Sequence, residues 1–176
     1  EMYKVRAILD VDEDVIRTIT FNENLTLEKL HFDIAKAFGF DGSEMASFYK
    51  SDNEWNQGLE IPLFNMAEAG EELSMASCIT KDILVKANDK LIYVYDFLQM
   101  WTFYIELIET SEDSINETKT ILSIGEIPSK APDKVFESED TLSILDRYIQ
   151  ESEINLDKTV IQNIMRQTYQ EACELV

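Results

Sequence analysis

Residues Tyr93 to Phe103 read YVYDFLQMWTF, and this stretch decides the fold. Five of its eleven residues are aromatic, and Asp96 stands alone among them. Aromatic and β-branched side chains favour the pleated, half-buried surface of a strand. Leu91–Phe97 and Trp101–Glu109 are therefore predicted strands, with only Leu98, Gln99 and Met100 between them. So short a spacer predicts an antiparallel hairpin. On the second strand Trp101, Phe103, Ile105 and Leu107 share one face, with Thr102, Tyr104, Glu106 and Ile108 opposite. The first face is uniformly apolar and is read as core, each side chain contributing on the order of 2 kcal/mol on burial.

Working outward, Tyr3, Val5, Ala7 and Leu9 alternate with Lys4, Arg6, Ile8 and Asp10. Period two predicts a strand with one buried face. Asp10 to Asp14 is a polar turn, and Val15 to Phe21 completes a second hairpin. Asn24 or Thr26 can cap a helix. Leu27, Leu30, Ile34 and Phe38 then form one helical stripe, and Gly39 is placed to end it in a left-handed cap. Met45–Lys50 and Ser74–Ile79 read as short strands, Lys81–Ala87 as a helical turn, and Lys119–Ile124 as a further strand. The loop GEIPSKAPD, residues 125–133, holds two of the three prolines. After it the pattern turns helical: Ser138 can cap a helix bearing Leu142, Leu145, Tyr148 and Ile149. Asn155 or Asp157 can cap another, bearing Val160, Ile161, Ile164, Met165, Tyr169, Ala172 and Cys173. The expected fold is α+β: a mostly antiparallel sheet, one main packing helix, and a helical C-terminal appendage. The domain boundaries are 1–132 for the core and 133–176 for an acidic helical extension.

Charge narrows the function. Thirty-five acids against fifteen bases give a net charge of −20. Both parts of the chain are acidic, which opposes direct nucleic-acid binding, because that is driven by Lys and Arg neutralising phosphates. An acidic surface serves solubility, and it also suits a nucleic-acid mimic or a dock for a basic partner. No apolar run approaches the ~18 residues of a membrane helix. The start EMYKVRAILD enters a strand pattern with no basic n-region and no cleavage site. Cys78 and Cys173 lie outside any C-x-x-C pattern and are read as reduced thiols. These features together predict a cytoplasmic protein.

The candidate chemistry is sparse. Asp10, Asp12 and Asp14 have the spacing of a calcium loop, but Val15 and Phe21 stand where that loop needs glycine and glutamate. A hairpin turn accounts for them better than a metal site. One histidine and two distant cysteines make a poor zinc set. Neither a phosphate-cradling glycine loop nor a nucleophile elbow is present, so no cofactor is expected. His31 is the single histidine and sits beside the helix stripe, either as a structural residue at its edge or as the base any triad would have to use. Asp96 falls in step with Ile92 and Val94. It is a groove-lining carboxylate of raised pKa or an acid that hydrogen-bonds to the backbone of the 98–100 turn. Trp101 offers a large aromatic surface. If a binding site exists, it is expected where the helix of His31 meets the end of the hairpin carrying Asp96 and Trp101.

The order of several short motifs resembles the plasmid pRiA4b ORF-three-like family. Thr26 to His31 is similar to its "tL-x-x-LH", Ala37-Phe38-Gly39-Phe40 to its "amGW", and Ser47-Phe48-Tyr49 to its "HeF". Tyr95-Asp96-Phe97 and Trp101 match the YDF and W of YDFGDDW. Where that signature has Gly-Asp-Asp, this chain has Leu98, Gln99 and Met100, and Phe103 replaces a histidine common after the tryptophan. The polar groups are lost and the packing aromatics kept. The resemblance implies a loose link to mobile DNA, with no activity assigned. The expectation is a non-enzymatic binding or accessory protein of unidentified protein partner. The alternatives are a hydrolase-like enzyme using Asp96 and His31, or an acidic partner of nucleic-acid machinery.

Overall fold

The computed structural model describes residues 1–65 and 73–133. The chain divides into two compact units, Glu1–Pro132 and Asp133–Val176. The two C-terminal helices expected from the sequence lie outside the described residues.

The first unit is built on the predicted hairpins. Strands β1 (Met2–Leu9) and β2 (Ile16–Asn22) precede helix α1 (Leu27–Ala37). β3 (Ala46–Ser51) and β4 (Gln57–Pro62) follow, then a single 3-10 turn at Met75–Ser77 and a short α2 (Thr80–Ile83). β5 (Lys90–Tyr95), β6 (Trp101–Ser111) and β7 (Lys119–Ile124) complete the sheet. Its order is β4-β3-β5-β6-β1-β2-β7, and every pairing is antiparallel. A mostly antiparallel sheet with one main helix is thus the observed α+β architecture.

Alternation decides what is inside. Tyr3, Val5, Ala7 and Leu9 of β1 and Trp101, Phe103, Ile105 and Leu107 of β6 are buried, while their intervening neighbours are half-buried or exposed. The helix covers this inner face, and the Phe38 ring lies tilted against Phe103, 4.6 Å between centroids. Thr26 is its N-cap, the hydroxyl accepting from the Lys29 amide at 3.2 Å. Gly39 (φ +89°) ends it: its amide donates to Lys36 O and that of Phe40 to Ala35 O, the paired bonds of a Schellman cap.

Arg17 points to the core side, 5.0 Å above the Phe38 ring. Its Nε donates to Ala37 O and its Nη1 to Ile16 O and Ile124 O, all at 2.9 Å. One guanidinium therefore satisfies a carbonyl at the helix C-terminus, where a cation is favoured, and one on each of β2 and β7.

Two local expectations are corrected. Ser74–Ile79 is not a strand: Ser77 Oγ accepts from the Ser74 amide and donates to Ser74 O, which closes the 3-10 turn. Only Ile79 keeps strand character, as an isolated bridge to Thr26. Apolar spacing in so short a run cannot separate the two conformations. The β5–β6 connection is also longer than the expected three residues, because β5 stops at Tyr95 and the turn runs over Asp96–Met100.

Candidate functional site

His31 lies on the buried face of α1, with no exposed surface. β5 places Tyr93 and Tyr95 beneath it. His31 Nδ1 and the Tyr93 hydroxyl are 2.6 Å apart and hydrogen-bonded. The rings of Phe32, Tyr93 and Tyr95 lie 4.7, 5.8 and 6.0 Å from the imidazole. Burial outweighs a weak opposing pull from the Gly42 backbone and lowers the imidazole pKa to about 4. Nε2 makes no hydrogen bond of acceptable geometry, in spite of that neighbouring backbone. The Tyr93 hydroxyl is driven well above its usual range, first by burial and then by Tyr95.

Tyr95 extends the cluster outward. Its hydroxyl donates to Asp41 Oδ1 and accepts from the Glu44 amide, both at 3.3 Å. Its ring lies 4.8 Å from Phe40, which lies 5.5 Å from Trp101. Trp101 sits opposite Tyr95 in the β5–β6 register and is almost wholly buried. His31 and Trp101 therefore belong to one aromatic layer, joined through Tyr95 and Phe40.

Asp96 takes a different role. Its φ is +62°, and Met100 at the far end of the turn has φ +57°. The left-handed residue breaks the alternation that would have aligned Asp96 with Ile92 and Val94. Its amide donates to Met45 O at 2.8 Å and its carbonyl accepts from the Met100 amide at 2.6 Å. Its carboxylate Oδ1 accepts from the Leu98 and Gln99 amides at 3.0 and 3.3 Å. These are the bonds of an acid that ties down a turn.

The three residues singled out in the sequence thus divide. His31 and Trp101 are linked through Tyr95 and Phe40, while the Asp96 carboxylate is engaged by its own turn. Sequence reasoning did not single out Tyr93, Tyr95 or Asp41. The signal available for the tyrosines was their inward parity, since a buried hydroxyl requires a partner. Asp10, of the calcium-like spacing, receives a 3.5 Å hydrogen bond from the Tyr104 hydroxyl. Among the described residues no three His, Cys, Asp or Glu side chains form a metal-holding group.

The His31 pair makes stability pH-dependent. The folded pKa is about 4 against ~6.5 for a free imidazole. Between these values the unfolded chain binds more protons than the folded one, so stability rises with pH and is lost on acidification. Denaturant titrations at pH 7 and pH 5 are expected to differ by about 2 kcal/mol. His31 is the single histidine, so His31→Gln should flatten the profile in that window. An unchanged slope would mean that the imidazole is not buried neutral.

The fold has a solved counterpart. The crystal structure of a protein of unknown function from Methanosarcina mazei Go1 aligns with a TM-score of 0.57 at 16% identity, covering 89% of this chain and 91% of that chain. At that identity the likeness extends to the fold alone. No curated protein matches the chain. The model of one family, the plasmid pRiA4b ORF-3-like protein, matches residues 1–145. That match takes in the whole sheet, α1 and the aromatic layer around His31, and the chain belongs to this family.

Proposed function

We propose that the chain is a cytoplasmic, non-enzymatic binding or accessory protein. The observation that carries this reading is the complete burial of His31, whose Nδ1 is hydrogen-bonded to the Tyr93 hydroxyl. A hydrolase-like reaction on Asp96 and His31 needs both groups within reach of one substrate. Here the imidazole is covered by aromatic rings and the carboxylate holds turn amides. The net charge of −20 favours a partner with a basic surface, including proteins that themselves handle nucleic acid. Cys78 is a buried free thiol, consistent with a reducing compartment. Among the described residues no helix is long and apolar enough to cross a membrane.

Turnover separates the two classes. The purified protein is expected to show no hydrolysis of ester, amide or phosphate substrates above background. A rate that falls in both His31→Gln and Asp96→Asn would establish the enzyme instead. The charge makes a second expectation: no gel shift of duplex DNA at physiological salt, where fifteen bases face thirty-five acids. A shifted band that survives competitor DNA would contradict it.

A further inference from the structure

The two margins of the sheet are built differently. At one margin β4 carries Glu60 and ends in Pro62, and its pairing with β3 is interrupted by a register shift between Tyr49 and Ser51. Charges, prolines and irregular pairing are the usual means of keeping a strand edge from recruiting another strand. At the other margin β7 has neither a charge nor a proline within Thr120–Ile124, although its pairing with β2 also shifts register, between Thr18 and Ile19. All six of its residues are exposed, including Ile121 at 53%, Leu122 at 46% and Ile124 at 42%. It pairs with β2 alone among the described residues.

The surroundings of β7 carry a charge pattern. Glu112, Asp113 and Glu117 are exposed before its first residue, and Glu126 after its last. At that second end Gly125 packs against the backbone of Asp14. This brings in the β1–β2 turn with its exposed Asp12, Glu13 and Asp14. An apolar edge is thus bracketed by acidic groups at both ends, with Lys119 the only base on the strand.

We propose that β7 is a docking edge for an extended peptide segment with an apolar centre and basic residues at both ends. The segment adds an eighth strand beside β7. Main-chain hydrogen bonds supply the pairing, and alternate side chains pack beside Leu122 and Ile124. The flanking carboxylates select Lys or Arg at the segment's ends and repel acidic ones. A second copy of this chain fits less well, because its own β7 brings the same acidic flanks against these. The proposal deepens the binding reading given above and rests on it.

The test uses three labelled nonapeptides on the full-length protein: a Val/Thr-alternating centre with two lysines at each end, the same centre with glutamates, and the lysine form with a central proline. Fluorescence anisotropy is expected to show binding of the first alone, weakened by salt. NMR shift changes should concentrate in 119–124. Glu117→Lys combined with Glu126→Lys changes exposed residues only, and should weaken binding about tenfold. Binding of the glutamate form as tightly as the lysine form would overturn the proposal. So would shift changes away from β7, absence of binding by all three peptides, or sedimentation showing that β7 is covered by a second copy. Hydrolytic activity dependent on His31 and Asp96 would sink the binding reading itself, whatever the peptides do.

Discussion

Replacing Phe103 with alanine is expected to cost about 3–5 kcal/mol, the range for emptying a buried phenylalanine site. Phe103 has no exposed surface. Its ring lies 4.6 Å from Phe38, 5.4 Å from Tyr93 and 6.5 Å from Phe40. It stands opposite Tyr93 of β5 on one side and Leu9 of β1 on the other, so its neighbours are held by the sheet and cannot collapse into the cavity. A domain of ordinary stability has ~5–15 kcal/mol in hand, so the variant could be too weak to purify. Phe103→Leu retains much of the volume and should lose about 1.5 kcal/mol or less. Chemical denaturation measures both. A loss under about 1 kcal/mol for the alanine variant would show that this face is not core.

Gly125→Ala is expected to cost about 2–5 kcal/mol. The residue has φ +69°, where an L side chain pays ~1–2 kcal/mol. A Cβ there would also land on the Asp14 carbonyl oxygen, with the Asp14 carbonyl carbon and Val15 Cα close behind. Backbone cannot rotate aside as a side-chain tip can, so the β1–β2 turn has to shift, which adds about 1–3 kcal/mol of overpacking strain. Gly39→Ala is the internal control. Its φ is +89°, yet nothing lies within 4 Å of the added carbon, so it should show the left-handed penalty alone. Equal losses in thermal melts of the two variants would refute the close approach at Gly125.

The sheet was legible in the sequence wherever alternation was strong. β1 and β6 fall where period two placed them, β7 lies at the Lys119–Ile124 read as a further strand, and α1 follows from its stripe, its threonine cap and Gly39. The failures share a cause. Ser74–Ile79 and the ends of the β5–β6 turn are settled by a side-chain hydrogen bond or by a left-handed residue, and neither leaves a periodic trace. Asp96 is the clearest instance: parity put it with Ile92 and Val94, but its positive φ removes it from the ladder. His31 was seen as a residue at the edge of the stripe and is instead wholly inside. What draws it in is the Tyr93 hydroxyl, 62 positions away, which offers a partner the helix sequence cannot announce. Arg17 was hidden for the same reason, since an arginine at an inward strand position looks like an error until its three carbonyl partners are seen together.

Those partners give Arg17 a consequence for motion. The guanidinium joins the last turn of α1 to Ile16 of β2 and Ile124 of β7. If β7 peels away, the fork loses one of its prongs and loosens its hold on the helix terminus. Fraying of the helix likewise releases the strand. Segments far apart in the chain are thereby made into one cooperative opening unit. Tension applied to the 119–124 strand is passed to the 27–37 helix, and Arg17→Lys, which keeps the charge but not the fork, uncouples them.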